Sequence, residues 1–361
     1  MMRSDRPFWA FMTACGVAIA AILVHSSLTY RVVSPTGPAR TAEAIPSLVL
    51  QRSASGSHVA TEALPRPLDD PGTVSVGAAD PLLAPGEQVF VAEASGRTLV
   101  IPERLLETYP VINTIFVGQQ ASFTYCPATR SAVGFWDSVS GFTTTFEPTR
   151  MLLNGNLVLR DRATGSVWPQ LLAVAVGGHL QGVALDLVPM YPTLWADVRS
   201  NRPDALVLTQ SAAGGSLPKP RRQVTHAPDS RALPLSSVDR RLPAGERVVG
   251  VALAHWSLAV PRRAVTVRHL VSLELAGAHL VAISDSRLGV VRVFDRSMGG
   301  GVVVLDPVGG IIVDRGTRSV WNDEGRCMSG ALRGSALSPA DSIECSWFAW
   351  AAFYPDTEVY Q

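Results

Sequence analysis

The feature of this sequence that most constrains its fold is an internal repeat. Several segments of the first part of the chain return in the second part, in the same order and at a nearly constant offset: 86–89 and 245–248, 101–104 and 260–263, 161–168 and 314–321, Trp195 and Trp347, and 203–204 and 355–356. Loop deletions of a few residues account for the drift in the offset. The repeat predicts two homologous domains, at 86–209 and 245–361.

Both copies have the sequence pattern of short strands. Apolar and β-branched runs of strand length, such as 121–125, are bounded by Gly, Pro or Asp. The segment 161–165 predicts a hairpin turn, because Asp and Gly suit the dihedral angles of such turns. Helices are expected after Pro102 and at 193–201, with 346–354 as the counterpart in the second copy. The predicted fold class is therefore α+β and rich in β-structure.

An uncharged apolar run at 7–30 follows an arginine-containing N-terminus. As a helix it is long enough to cross a hydrocarbon core of ~30 Å. A cleaved signal peptide and a lipoprotein signal at Cys15 are alternatives, but the apolar run continues well past Cys15. The best interpretation is an uncleaved anchor at 1–30, single-pass in the inner membrane. The N-terminal arginines place that end in the cytoplasm, so the bulk of the chain is expected in the periplasm.

Two further segments have the composition of linkers. Residues 31–85 scatter prolines among Ser, Thr, Ala and Gly, which predicts a flexible tether. Residues 210–244 carry several arginines and are interpreted as a solvated basic linker, with a contact to anionic headgroups or an acidic partner as the alternative. Over the whole chain, 31 Lys+Arg balance 30 Asp+Glu to a net charge of +1, which argues against nucleic acid as a partner.

Three stretches point to a known family. They are 123–127, Phe-Thr-Tyr-Cys-Pro; 154–170, which contains Asp-Arg-Ala-Thr-Gly-Ser-Val-Trp; and 348–357, Phe-Ala-Trp-Ala-Ala-Phe-Tyr-Pro-Asp-Thr. The chain resembles the bacterial domain-of-unknown-function family 3179, in two tandem degenerate copies. The resemblance covers both copies and implies a fold more than an activity.

The departures from the family pattern fall on residues that would form a soft-metal or redox site. The resemblance implies a second cysteine and a histidine at positions that here are Thr129 and Tyr109. The second copy keeps His269 near the family histidine but has no matching thiol. Cys126 and His269 could still share a copper or other soft-metal site across the interface between the copies, although such sites usually have three ligands or more. Otherwise Cys126 is a small buried hydrophobe and His269 a half-exposed strand or loop residue.

Two more groups of residues are of interest in the second copy. Cys327 and Cys345 could form a disulfide in an oxidising compartment if their backbones adjoin. Trp347, Trp350 and Tyr354 fall on one face of the predicted last helix. Packing on the domain's own sheet or on the first copy is the expected role of this face, and an interaction surface is the alternative.

Motifs for catalysis are missing from the sequence. There is no Gly-x-Ser-x-Gly elbow, no His-Glu-x-x-His segment and no phosphate-binding glycine frame. Two hypotheses follow. The first is a membrane-anchored extracytoplasmic binding module without cofactor, such as an accessory subunit of a larger membrane complex, with energy-transducing complexes as one class. The alternative is a metal- or thiol-handling protein that uses Cys126 and His269.

Overall fold

A computed structural model of the chain describes residues 51–52, 66–139, 141–211, 215–219, 235–253 and 256–361. The predicted membrane anchor at 1–30 lies outside these residues, and so does most of the predicted tether. Within the described residues, no helix is both long and apolar enough to cross a bilayer.

The first half of the fold consists of short strands with a few short helices between them. Its strands are β1 (Gln51–Arg52), β2 (Leu68–Asp69), β3 (Gly72–Ser75), β4 (Gln88–Ala94), β5 (Arg97–Pro102), β6 (Val111–Phe116), β7 (Gln119–Cys126), β8 (Ser131–Trp136), β9 (Ser138–Val139), β10 (Phe142–Thr143), β11 (Phe146–Leu153), β12 (Asn156–Asp161), β13 (Val167–Pro169), β14 (Leu187–Val188), β15 (Met190–Leu194) and β16 (Leu206–Thr209). Its helices are α1 (Val76–Ala79), α2 (Glu103–Thr108) and α3 (Trp195–Asn201), with a 3-10 turn at Asp80–Leu82.

The second half has the same kind of elements. Its strands are β17 (Arg247–Leu253), β18 (Trp256–Pro261), β19 (Leu270–Leu275), β20 (Ala278–Asp285), β21 (Val290–Asp295), β22 (Ser297–Met298), β23 (Gly301–Val302), β24 (Leu305–Val308), β25 (Ile311–Asp314), β26 (Val320–Trp321), β27 (Cys327–Ser329), β28 (Ser338–Pro339), β29 (Ile343–Ser346) and β30 (Glu358–Val359). Its helices are α4 (Arg262–Arg268) and α5 (Trp347–Phe353).

The order of the strands is alike in the sheets of the two halves. In the first half the orders are β15-β4-β5-β16-β3, β14-β8-β7-β6-β2 and β1-β11-β12-β13. In the second half they are β29-β17-β18-β30, β19-β20-β21-β28 and β24-β25-β26-β27. Even the parallel pair of β5 with β16 has a counterpart, the parallel pair of β18 with β30. The predicted β-rich fold is confirmed.

Local sequence explains where the helices begin. Pro102 and Pro261 end β5 and β18 with φ of −60° and −55°, and α2 and α4 begin at the next residue. The pyrrolidine ring fixes φ near the helical value, and the missing N–H is needed by neither element at that point. By contrast, α3 begins later than the predicted residue 193. Thr193 and Leu194 remain extended because they pair with β4.

The main hydrophobic core joins the two halves. Phe146 and Trp168 of the first half belong to the same buried cluster as Trp347 and Trp350 of α5. Trp168 and Trp347 are fully buried, with exposed fractions of 1% and 0%. Apolar burial of this kind is the main favourable term in folding. The shared core therefore holds the two halves together.

The carbonyl groups at the end of α5 bind side chains from elsewhere in the chain. Asn154, at the tip of the β11–β12 hairpin, donates Nδ2–H to the Ala352 oxygen at 3.1 Å, and Ser236 Oγ donates to the same oxygen at 2.8 Å. Ser237 Oγ donates to Ala351 at 3.2 Å. The last carbonyls of a helix have no partner within it, so these bonds satisfy them. Part of the predicted 210–244 linker is thus packed on the fold.

Residues 66–85 also belong to the fold, which differs from the predicted tether. The strands β2 and β3 pair with β6 and β16, and the side chains of Val76, Ala79 and Leu83 are buried. The prolines of this segment indicated a linker, but its few apolar side chains are buried by strands that are distant in sequence.

Candidate functional site

Cys126 lies at the end of β7, in the turn that leads to β8. Its Cα pairs with that of Ser131 across the hairpin, and Arg130 closes the turn with a φ of +51°. The side chain is 4% exposed and sits in the main core, where Sγ–H donates to the Gly155 oxygen at 3.6 Å. This is the environment of a small buried hydrophobe rather than that of a presented thiolate.

A fully buried polar network surrounds the family cysteine positions. The Asn156 amide donates to Thr129 Oγ1 at 3.0 Å and to Gln170 Oε1 at 2.8 Å. Ser131 Oγ also donates to Gln170 Oε1 at 2.8 Å, and Gln170 Nε2 donates to Thr124 Oγ1 at 2.9 Å. All five side chains have an exposed fraction of 0%. A network in which each member has a partner rigidifies the turn.

The residue at the second family cysteine position, Thr129, also connects the two halves. Its carbonyl oxygen accepts a hydrogen bond from the Ser346 amide, where β29 meets α5, at 2.9 Å. The corresponding turn of the second half contacts the first half in the same way, because the Leu288 oxygen accepts a hydrogen bond from Thr193 Oγ1. In this chain the turn therefore serves the interface between the halves.

The Asp-x-x-Thr segment that resembles the family has a structural role. Asp161 accepts hydrogen bonds from the Thr164 amide at 2.6 Å and from Trp168 Nε1 at 3.0 Å. Burial alone would raise the pKa of Asp161, but these hydrogen bonds outweigh it and lower the pKa. Asp314 and Thr317 make the same turn in the second half, with an N–H to carboxylate distance of 2.7 Å.

His269 lies at the C-terminal end of α4, whereas Cys126 lies at the end of β7. The histidine caps the helix with a φ of +66°, and its Nε2 is 2.9 Å from Asp323 Oδ1. Its side chain is 28% exposed, and its hydrogen-bond partner is Asp323, whereas the Cys126 thiol donates to the Gly155 oxygen. In the part of the chain that the structure describes, no group of three or more His, Cys, Asp or Glu side chains could hold a metal ion.

A family model described as "Protein of unknown function (DUF3179)" matches residues 61–357. The chain belongs to the DUF3179 family. The resemblance deduced from the Cys126 and Asp161 segments is thus confirmed at the level of the family, and the match starts upstream of residue 86. No curated protein and no solved structure matches the chain.

The other two cysteines among the described residues of this DUF3179 protein are buried and unbonded. Cys327 and Cys345 are both free thiols, 4% and 0% exposed, and they belong to different buried clusters. Burial raises the pKa of the Cys345 thiol to about 12. The predicted disulfide is not formed in this structure.

The aromatic face of α5 is turned inward. Trp347 and Trp350 are 0% and 1% exposed, and the ring of Tyr354 lies 4.3 Å from that of Trp350. Trp350 Nε1 donates to Thr357 Oγ1 at 3.0 Å, and its ring covers Gly250 so closely that a Cβ there would lie 2.3 Å from it. This face therefore packs against the protein's own core, and Trp347 and Trp350 are not accessible to a partner.

A cleft between the halves is lined by arginines, and no sequence motif predicted it. Arg130, Arg247 and Arg262 line it together with Glu344. Glu344 Oε1 accepts hydrogen bonds from Arg247 Nε and Nη2, at 3.1 and 3.0 Å. A signal was present in the repeat, since Arg247 and Arg262 stand where the first copy has Gln88 and Glu103. The recurring segments thus differ in charge at the two positions that line this cleft.

Proposed function

We propose that this protein is a non-catalytic binding module, built from two related halves and held at the membrane by an N-terminal helix. Its partner is a membrane protein or membrane complex on the periplasmic side, and nucleic acid is not a ligand.

The relation of the two halves by duplication is supported by sequence and topology together. Recurring segments such as 161–168 and 314–321 fall on matching strands and turns, and the sheets list their strands in the same order. Convergence on one strand order together with shared motifs is improbable for unrelated sequences. Later loss of site residues in each half is the expected fate of a duplicated domain that has kept its packing role.

The observation that carries the binding proposal is the state of the family cysteine turn. Cys126 is buried, and Thr129 and Ser131 are hydrogen-bonded within the core. Catalysis needs reactive groups held beside a substrate, and the loss of one such group usually costs orders of magnitude in rate. Binding tolerates that loss, because its energy resides in a few contacts elsewhere on the surface.

Trp256 is the most suitable surface residue for testing the interaction. It is 54% exposed at the start of β18, whereas the other tryptophans among the described residues are buried or partly buried. Exposed tryptophans are enriched among the residues that dominate protein interfaces. We therefore expect Trp256, and not the buried aromatic residues of α5, to contact the partner.

The test is affinity purification of the full chain from mild detergent, with mass spectrometry of the proteins that co-elute. We expect Cys126→Ser and His269→Ala to retain the same partner as the unaltered chain, and Trp256→Ala to lose it. Met328→Ala, at another site that is 57% exposed, serves as the matched control. Retention by Trp256→Ala and loss with Cys126→Ser would contradict the proposal.

The metal- or thiol-handling alternative has its own measurement. Purified protein would then contain near-stoichiometric copper, zinc or iron, and Cys126→Ser or His269→Ala would remove it. We expect less than a tenth of a metal ion per chain by elemental analysis, roughly the level of adventitious binding when ligands are too few.

A further inference from the structure

We propose that the cleft lined by Arg130, Arg247 and Arg262 binds a small organic anion through a carboxylate or phosphoryl group. The cleft lies between the two halves and has a volume of ≈ 330 Å³. A neighbouring cleft has a volume of ≈ 460 Å³. Volumes from about 300 Å³ upward accommodate small ligands, and such sites occur preferentially where two domains meet.

Three separate segments bring the guanidinium groups together. Arg130 comes from the β7–β8 turn, Arg247 from the start of β17, and Arg262 from the first residue of α4. Planar guanidinium groups match the geometry of carboxylate and phosphate oxygens, with two parallel hydrogen bonds to each ligand group. Convergence of three of them on one concave surface is the arrangement expected for an anion site.

Glu344 pairs with Arg247 and Arg262 and does not use all their donors. Glu344 Oε1 takes two hydrogen bonds from Arg247 and lies 3.3 Å from Arg262 Nε. Arg247 Nη1 donates to the Arg130 oxygen at 2.5 Å, and Arg262 Nη2 donates to the Gly289 oxygen. These bonds fix the two guanidinium groups in place, while their remaining N–H groups are left for a ligand.

Arg130 has no such partner for its side chain. Among the residues that the structure describes, its guanidinium forms no hydrogen bond and no ion pair. Its charge nevertheless acts on this region: burial raises the pKa of Glu103, and the charges of Arg130 and Arg247 oppose that rise. The guanidinium of Arg130 is therefore near the cleft, with all five N–H donors available.

The backbone at Arg130 adopts a conformation that is unusual for a residue with a side chain. Its φ is +51°, in the left-handed region that favours glycine. The matching position before β21 in the second half is Gly289, with a φ of +62°. Arginine is the strained choice for this turn, and an unpartnered guanidinium beside a cleft explains why it occupies the position.

The charge of the cleft sets the charge of the ligand. Its lining holds three arginines against the carboxylates of Glu344 and Asp197, so positive charge is in excess by one. One negative charge on the ligand would neutralise this excess. Asp197 would repel a more highly charged anion, or bind a cationic group on the same molecule.

The experiment is calorimetric titration of the full chain, in mild detergent and at low ionic strength, with two probes in separate arms. Inorganic phosphate represents the phosphoryl group, and succinate represents the carboxylate. The decisive variant is Arg130→Gly, because glycine suits the backbone of this turn and the variant should fold at least as stably. The matched control is Arg97→Gln, which removes an exposed arginine from the neighbouring cleft.

We expect saturable binding of one probe or both with one site per chain. Arg130→Gly should weaken the dissociation constant at least tenfold, and Arg97→Gln should change it less than twofold. Binding of phosphate alone assigns a phosphoryl ligand, and binding of succinate alone assigns a carboxylate ligand. The proposal is overturned if neither probe saturates, if Arg130→Gly binds as well as the unaltered chain, or if Arg97→Gln loses as much.

This inference extends the proposed binding function, and the two can fail separately. Retention of the membrane partner by Arg130→Gly, together with loss of anion affinity, would leave both proposals standing as distinct surfaces. Loss of the partner from Trp256→Ala has no bearing on the titration. A negative titration with normal co-purification would remove the anion site alone.

Discussion

Asp137 is a buried acid whose replacement should make the protein more stable at neutral and alkaline pH. The residue has an exposed fraction of 0%, and its Oδ2 is 2.7 Å from Ser122 Oγ. The same hydroxyl is 2.6 Å from Asn113 Oδ1, which is an acceptor because it also binds the Phe146 amide. One hydroxyl proton cannot serve two acceptors, so a protonated Asp137 that donates to Ser122 completes the chain of hydrogen bonds.

The magnitude follows from the shift in pKa. Burial raises the pKa of Asp137 from 3.8 to about 7, although hydrogen bonds from the Gln120 side chain and the Ser122 backbone act to lower it. The unfolded chain therefore loses this proton first as the pH rises from about 4, and the free energy of unfolding falls until about pH 7, where the folded form ionises too. Three units correspond to about 4 kcal/mol of lost stability, as an upper limit.

Asp137→Asn removes this pH dependence, since an amide can donate to Ser122 without ionising. Urea unfolding followed by tryptophan fluorescence should give nearly equal stabilities for the two proteins at pH 4.5. At pH 8 the variant should be more stable, by up to about 4 kcal/mol. Asp306→Asn is the control with the opposite sign, because the hydrogen bond from Arg315 lowers the pKa of Asp306. A difference between Asp137→Asn and the unaltered chain that does not change with pH would refute the reasoning.

Three further predictions concern packing and reactivity. Gly250→Ala should lower the free energy of unfolding by about 3 kcal/mol, because its Cβ would lie 2.3 Å from the Trp350 ring. The control Gly245→Ala meets no atom within 4 Å and should be near neutral. Equal denaturation midpoints for the two variants would contradict this prediction. Trp168→Phe should cost about 1 kcal/mol more than Trp321→Phe in chemical denaturation. The reason is that Trp168 Nε1 is hydrogen-bonded to Asp161 at 3.0 Å, whereas Trp321 Nε1 has no partner among the residues that the structure describes. Cys345 should resist iodoacetamide at pH 8 until the protein unfolds, since burial raises its pKa to about 12; native labelling found by peptide mass spectrometry would disprove this.

Much of the β-structure could be predicted because its signals are local. The strand at β7 and the turn after Asp161 follow from short runs of residues, and the burial of Trp195 follows from its recurrence in the repeat. The ordered segment around Val76 could not be predicted in this way. Its strands are two to four residues long and pair with partners far along the chain, so composition was a poor guide.

The candidate site was harder to predict than the fold. The family resemblance pointed to Cys126 and His269. Cys126 lies in the main core, whereas His269 is partly exposed and lies beside Asp323. Arg130 and Arg247 are separated by 117 residues, and only the packing of one half on the other brings them to one cleft. The usable signal was the difference in charge between recurring segments, since Arg247 stands at the position that corresponds to Gln88.

The bond between Asn154 and Ala352 has a consequence for biosynthesis. The two residues are separated by 198 positions, so at roughly 5–20 residues per second the ribosome needs on the order of 10 to 40 s to supply the second after the first. Until then, the nascent first half lacks α5 and exposes the apolar surface that α5 later covers. During that interval we expect the emerging chain to depend on a chaperone or holdase.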